Sequence, residues 1–166
     1  MIDLIKKYRS KGLLLDTNLF VLLVIGLIKR KEVEGNKRTS AYTCEDFDIL
    51  LEFVGKFQKI VVTPHILAET SNLTDVFNKH LKAAPFLIIK KLLEGGQFTE
   101  EIIPSIEIVQ TSGFIQYGLT DSGLVELAIG KYLILTDDLK VANYAYDKSA
   151  DIINFNHIRD LVWSQQ

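Results

Sequence analysis

Five carboxylates in this chain stand where chemistry could use them. Asp16 closes the apolar run "GLLLD" (12–16), and Glu69 lies within "VVTPHILAETSNL" (61–73). Asp121 falls near the start of "GLTDSGLVELAIG" (118–130), and Asp137 with Asp138 directly follows "YLILT" (132–136). Carboxylates brought to one place repel, and some of them take up protons unless a cation removes the conflict. Oxygen-only ligands suit Mg²⁺ or Mn²⁺ rather than zinc. A cation held in this way keeps water sites open, which is what metal-assisted hydrolysis of a phosphodiester needs. The lone Cys44 excludes a cysteine zinc site and an internal disulfide, and the histidines (His65, His80, His157) form no cluster.

Taken singly, each acid has an ordinary structural reading. Asp at a helix start is a common cap, which would account for Asp16, Asp121 and Asp137, while Asp138 would be a first-turn acid favoured by the helix dipole. Glu69 lies too deep in its helix to cap it. Its ordinary reading is a solvated face with His65 one turn back. What sets these acids apart is the elements that must carry them.

Unbroken apolar runs at 12–16, "KIVVT" (59–63), 132–136 and "DIINF" (151–155) read as buried strands. Between them lie helical patterns at 17–28, at 45–57 with Phe47, Leu50, Leu51, Val54 and Phe57 in register, from Pro64 onward, at 118–130 and at 138–147. Pro64 after Thr63 is a favoured helix start. Residues 74–111 read as mainly helical, broken at Pro85, Gly95-Gly96 and Pro104, and 29–40 reads as a polar loop. Strands alternating with helices imply an α/β fold, a parallel sheet covered on both faces. In such a sheet sites form at the carboxyl ends of the strands, and all five acids fall at that edge.

The chain of 166 residues, 48% hydrophobic, suits a single domain spanning 1–166 with a sizeable core. A net charge of −2 does not advertise nucleic acid, though it leaves room for a local basic patch. The most apolar stretch, "LFVLLVIGLI" (19–28), is shorter than the roughly 20 residues a bilayer requires. It reads as a helix buried nearly all round. No membrane partner is expected, and a cytoplasmic location fits the single cysteine.

The stretches "LLLDTNLF", "VTPHILAETSNL", "GLTDSGLVELA" and "LILTDDLKVANYA" resemble, in order, spacing and context, the four acidic motifs of PIN-domain nucleases. The resemblance covers nearly the whole chain. It implies a three-layer α/β/α sandwich and an acidic centre for Mg²⁺ or Mn²⁺ formed by Asp16, Glu69, Asp121 and Asp138, with Asp137 as the alternative or accessory fourth acid. Asn18 and Thr136 would flank and orient it. The implied activity is endonucleolytic hydrolysis of RNA. Family members include toxins of toxin–antitoxin pairs and RNA-processing enzymes, and both roles stay open. An antitoxin-like peptide, another protein or a second copy of the chain is a candidate partner.

On the substrate side, "KRKEVEGNKR" (29–38) holds five basic and two acidic side chains. Lys29, Arg30, Lys37 and Arg38 could track a phosphate backbone, or the segment is a solvated loop. Phe47, Phe53, Phe57 and Phe98 sit in apolar runs and read as core. Rival readings are a non-cleaving module that binds RNA or protein and a haloacid-dehalogenase-like phosphatase. The phosphatase wants a second Asp where Asn18 stands.

Overall fold

The computed structural model describes residues 1–74 and 82–163. His80 and part of the 74–111 segment lie outside them. In chain order the elements are α1 (Ile2–Tyr8), β1 (Leu13–Leu15), α2 (Thr17–Ile28), α3 (Glu32–Gly35), α4 (Cys44–Val54), β2 (Ile60–Val62), α5 (Pro64–Leu73), α6 (Ala84–Glu94), β3 (Phe98–Glu100), α7 (Ser105–Ile108), α8 (Phe114–Ala128), β4 (Leu133–Thr136), α9 (Leu139–Asp147), β5 (Ile152–Asn154) and α10 (Phe155–Trp163). The five strands form one sheet in the order β3-β2-β1-β4-β5. Every neighbouring pair is parallel. Helices flank the sheet, giving the α/β/α sandwich that the alternating pattern implies.

The central strands explain why the sheet is covered on both faces. Leu13–Leu15, Ile60–Val62 and Leu133–Thr136 are buried at every position. From β1 the chain proceeds outward to β2 and β3 on one side. It then returns to place β4 and β5 on the other. The carboxyl ends of β1 and β4 therefore flank the topological switch point, where the loops leave in opposite directions and open a crevice.

Helix α2 is buried from Leu19 through Gly26, as its uninterrupted apolar sequence demands. It packs against α4, α5 and α6. At its meeting with α4 there is no room for a side chain, since a Cβ on Gly26 would stand 2.1 Å from the Phe47 ring. Gly26→Ala is therefore expected to destabilise the protein by about 1–3 kcal/mol, overpacking outweighing the better helix propensity of Ala. Chemical denaturation would measure it; unchanged or raised stability would contradict this packing.

Several elements differ from the sequence pattern. Strand β3 lies within the stretch read as mainly helical. It is an edge strand of three residues with only Phe98 buried, so it lacks the apolar run that marks the central strands. The polar loop 29–40 contains one helical turn, Glu32–Gly35, anchored by buried Val33. The helix expected over 45–57 ends at Val54, and Phe57 reaches the core from the following turn. Helix α1 carries no strong apolar signal because only Tyr8 on it is buried. Phe47, Phe53, Phe57 and Phe98 are all core residues. Among the described residues no helix is long and apolar enough to cross a membrane.

Candidate functional site

A cleft opens at the switch point, lined by Asp16, Thr17, Asn18, Glu69, Asp121, Asp138 and Val141. Four stretches of sequence contribute its acids, and each arrives by a different local device.

Asp16 ends β1 and caps α2, its Oδ1 accepting from the Leu19 amide at 2.8 Å. Its Oδ2 accepts from the Thr136 hydroxyl and from the Asp137 amide at 3.2 Å. The residue is only 3% exposed. Burial, followed by the neighbouring Asp137 charge, pushes its pKa up to about 7.

Asp138 follows β4 and caps α9, accepting from the Lys140 amide at 2.6 Å. Its own amide donates to Thr136 Oγ1 at 3.0 Å. Thr136 thus ties both acids to the end of one strand.

Glu69 stands on the second turn of α5, which begins at Pro64 with Thr63 as cap, its hydroxyl accepting from the Ile66 amide at 3.3 Å. The Glu69 carboxylate accepts from the Thr17 hydroxyl at 3.0 Å, which turns it toward the start of α2. His65 is not its partner; the ring nitrogen Nε2 lies 3.1 Å from Ser105 Oγ.

Asp121 lies on α8 just after a break at Gly118, whose φ of +76° interrupts the helix and is readily adopted only by a residue without a side chain. Asp121 is therefore inside the resumed helix and not its cap. Burial raises its pKa to about 6, with the charges of Glu69 and Asp138 adding to the effect.

Asp137 occupies a different place from the other four. It does not line the cleft. Its Oδ1 accepts from Asn18 Nδ2 at 3.3 Å and its Oδ2 from the Tyr42 hydroxyl at 2.5 Å. Of the paired acids after β4, Asp138 is thus the one that faces the other cleft carboxylates, and it, not Asp137, is the helix cap. Burial first, then the Asp137 charge, raises the Tyr42 pKa, so this hydroxyl stays a donor.

Three contributors left no signal in the motifs: Tyr42, Asn156, whose Nδ2 donates to the Asp137 carbonyl at 2.9 Å, and Arg159, which donates to Asn156 at 3.1 Å. Thr17 could have been suspected from its place between Asp16 and Asn18. Lys29 and Arg30 leave from the far end of α2, away from Asp16. Lys29 pairs with Glu32, and Arg30 with Asp48 and Glu45. The twelve-residue α2 separates Lys29 and Arg30 from Asp16 by roughly 20 Å at 1.5 Å per residue. Lys37 and Arg38 are exposed.

The acids share a cleft without forming a coordination sphere. Among the described residues no three His, Cys, Asp or Glu side chains stand closely enough together to hold one metal ion as placed. Asp16, Glu69 and Asp138 each accept a hydrogen bond from a nearby donor. The chemistry of the set still suits a hard cation, because it offers only oxygen and carries more negative charge than its own donors neutralise. Comparison with known protein families returns no match, and comparison with curated proteins returns none.

Proposed function

We propose that this chain is a Mg²⁺- or Mn²⁺-dependent nuclease that hydrolyses RNA phosphodiester bonds. One observation carries the reading: four acids from four separate stretches of sequence line a single cleft at the carboxyl ends of β1 and β4. Helix capping explains Asp16 and Asp138 but gives no reason for Glu69 and Asp121 to meet them. The resemblance to PIN-domain nucleases supplies the substrate class.

Asp16, Asp121 and Asp138 would hold the cation, with Glu69 bound directly or through water. The bound cation would supply a water of lowered pKa and positive charge against the phosphate. Asp16 is the fixed point of the set, buried and held by three donors. Glu69 and Asp121 stand on the neighbouring helices α5 and α8 and line the same cleft. Thr136 keeps Asp16 and Asp138 in register from the strand end, and Val141 gives the cleft an apolar wall.

The test is incubation with end-labelled single-stranded RNA and DNA of one sequence, in Mn²⁺ and in EDTA, beside a Mn²⁺ titration followed by heat. The expected result is internal cleavage of RNA that needs Mn²⁺. Cation binding with both strands intact would leave a binding module. No cation binding would return the acids to capping and surface charge.

A further inference from the structure

Resting on the nuclease reading above, we infer that Thr17 is a positioning residue: its hydroxyl holds the Glu69 carboxylate in the cleft, where hydration and like charge would otherwise turn it outward.

The walls of the cleft are joined at the start of α2. Three consecutive side chains there reach three different neighbours. Asp16 accepts from the Thr136 hydroxyl at the end of β4, Thr17 Oγ1 donates to Glu69 Oε2 on α5 at 3.0 Å, and Asn18 Nδ2 donates to Asp137. Thr17 is placed for this task. It is the first residue of α2 and is buried, with 7% of its surface exposed. Deeper in a helix a threonine hydroxyl commonly bonds back to the carbonyl four residues earlier. At the first position that route leads into strand β1, so the hydroxyl is left to reach outward to the neighbouring helix. Branching at Cβ restricts the rotamers of Thr17, which fixes the direction of the donor. Helices α2 and α5 pack together, and the bond crosses between them.

Glu69 needs such a hold more than the other acids do. Asp16 and Asp138 are short side chains fixed at helix caps, whereas Glu69 is an exposed residue on a long, flexible side chain. Among the described residues Thr17 is the side-chain donor that meets its carboxylate. Solvent lies open on one side of it. On the other lies Asp121, close enough to feel the Glu69 charge. Coulomb repulsion, hydration and rotamer entropy all favour an outward carboxylate. The bond from Thr17 opposes them, and a hydrogen bond to a charged acceptor is stronger than a neutral one. Thr17→Val removes this donor and keeps the branched shape, while Thr17→Ser keeps the donor and loses only the methyl group.

The experiment measures kcat and KM for RNA cleavage in Mn²⁺ on wild type, Thr17→Val, Thr17→Ser, Glu69→Gln and the Thr17→Val, Glu69→Gln double variant. Thermal unfolding checks that each chain is folded. Crystal structures of wild type and Thr17→Val, grown without divalent cations, show where the Glu69 carboxylate lies. Thr17→Val is expected to lower kcat about 10-fold or more, as losses of groups that orient a working residue commonly do. KM should hold within about twofold, since substrate binding is untouched. Thr17→Ser should recover most of the rate, and the double variant should be no slower than Glu69→Gln alone. In the crystals Glu69 should face the cleft in wild type and solvent in Thr17→Val. Wild-type kcat in Thr17→Val would overturn the inference, as would equal losses in the Ser and Val variants. So would a Val effect that persists beside Glu69→Gln, since Thr17 would then act through the fold. A wild type that leaves RNA intact would instead overturn the nuclease reading. The two crystal structures would then decide the hold on Glu69 by themselves: a carboxylate turned away from Thr17 in wild type, or unmoved in Thr17→Val, would end it.

Discussion

Asp16→Asn is expected to leave a folded chain that no longer binds Mn²⁺ and cleaves RNA about 100-fold more slowly or worse. Even removal of groups that merely support metal ligands commonly costs 10–100-fold, and in the proposed centre Asp16 would be the buried ligand the others gather round. The fold should survive because Asn caps helices as well as Asp does, and its oxygen can still accept from the Leu19 amide. The amide group can donate to Thr136 Oγ1, reversing the bond that Asp16 accepts there. Only the Asp137 amide loses its acceptor, at a cost of about 1–3 kcal/mol, offset by removal of a buried acid. Calorimetric titration and a cleavage time course on the same preparation would check it. Wild-type binding and turnover in the variant would remove Asp16 from the centre.

The cation-free protein is expected to lose stability as pH rises from 5 to 8, the reverse of a protein held together by carboxylate ion pairs. Asp16 and Asp121 have pKa values raised to about 7 and about 6, from an ordinary value of 3.8. Between those limits the native state binds more protons than the unfolded chain, so ΔG of unfolding falls as pH rises. The stabilising contribution is complete below about pH 4 and is lost as pH climbs through 6 and 7. Each unit of pKa corresponds to about 1.4 kcal/mol. From pH 5 to 8 the pair should lower Tm by something on the order of 10 °C, at about 2–4 °C per kcal/mol for a chain of this size. Carboxylates held low by basic partners, such as Asp151 beside Lys7 and Glu101 beside Lys59, act below this window and do not blur it. On the proposed function, saturating Mn²⁺ should invert the trend, because a cation in the centre would bind the deprotonated acids. Thermal unfolding from pH 5 to 8, in EDTA and in Mn²⁺, gives both curves. A cation-free Tm that is flat or rises with pH would mean that the acids are not crowded as described.

The parallel sheet, Asp16 and the Asp137–Asp138 pair were legible for the same reason, whereas Glu69 and Asp121, inside helices, drew their weight from lying between those motifs. Strands such as Leu13–Leu15 and Leu133–Thr136 are buried on both faces, so they appear as unbroken apolar runs, and the first polar residue after each run marks the carboxyl edge. Strand β3 escaped because an edge strand with one buried residue has no such run. The orientation of Asp137 escaped because it depends on Tyr42, 95 residues away, and hydrogen bonds across such a gap leave no periodicity. The same holds for Thr17 and Glu69, 52 residues apart. Asp16 is at once a helix cap and part of the cleft wall. Its first oxygen caps α2, and its second ties β1 to β4.

That tie has a bearing on how the molecule comes into being. Thr136 and Asp16 are 120 residues apart, and the cleft lies between two strands that meet only when β4 docks beside β1. Contacts of such long range close late in folding, because the loop entropy must be met before they give any return. During synthesis, a chain that has not yet reached Leu133 has Asp16 and Glu69 but lacks the strand that brings Asp138 to them. Whatever the assembled cleft does, a nascent or truncated chain cannot do it. The strand order thus acts as a timer that withholds the site until nearly the whole domain has emerged.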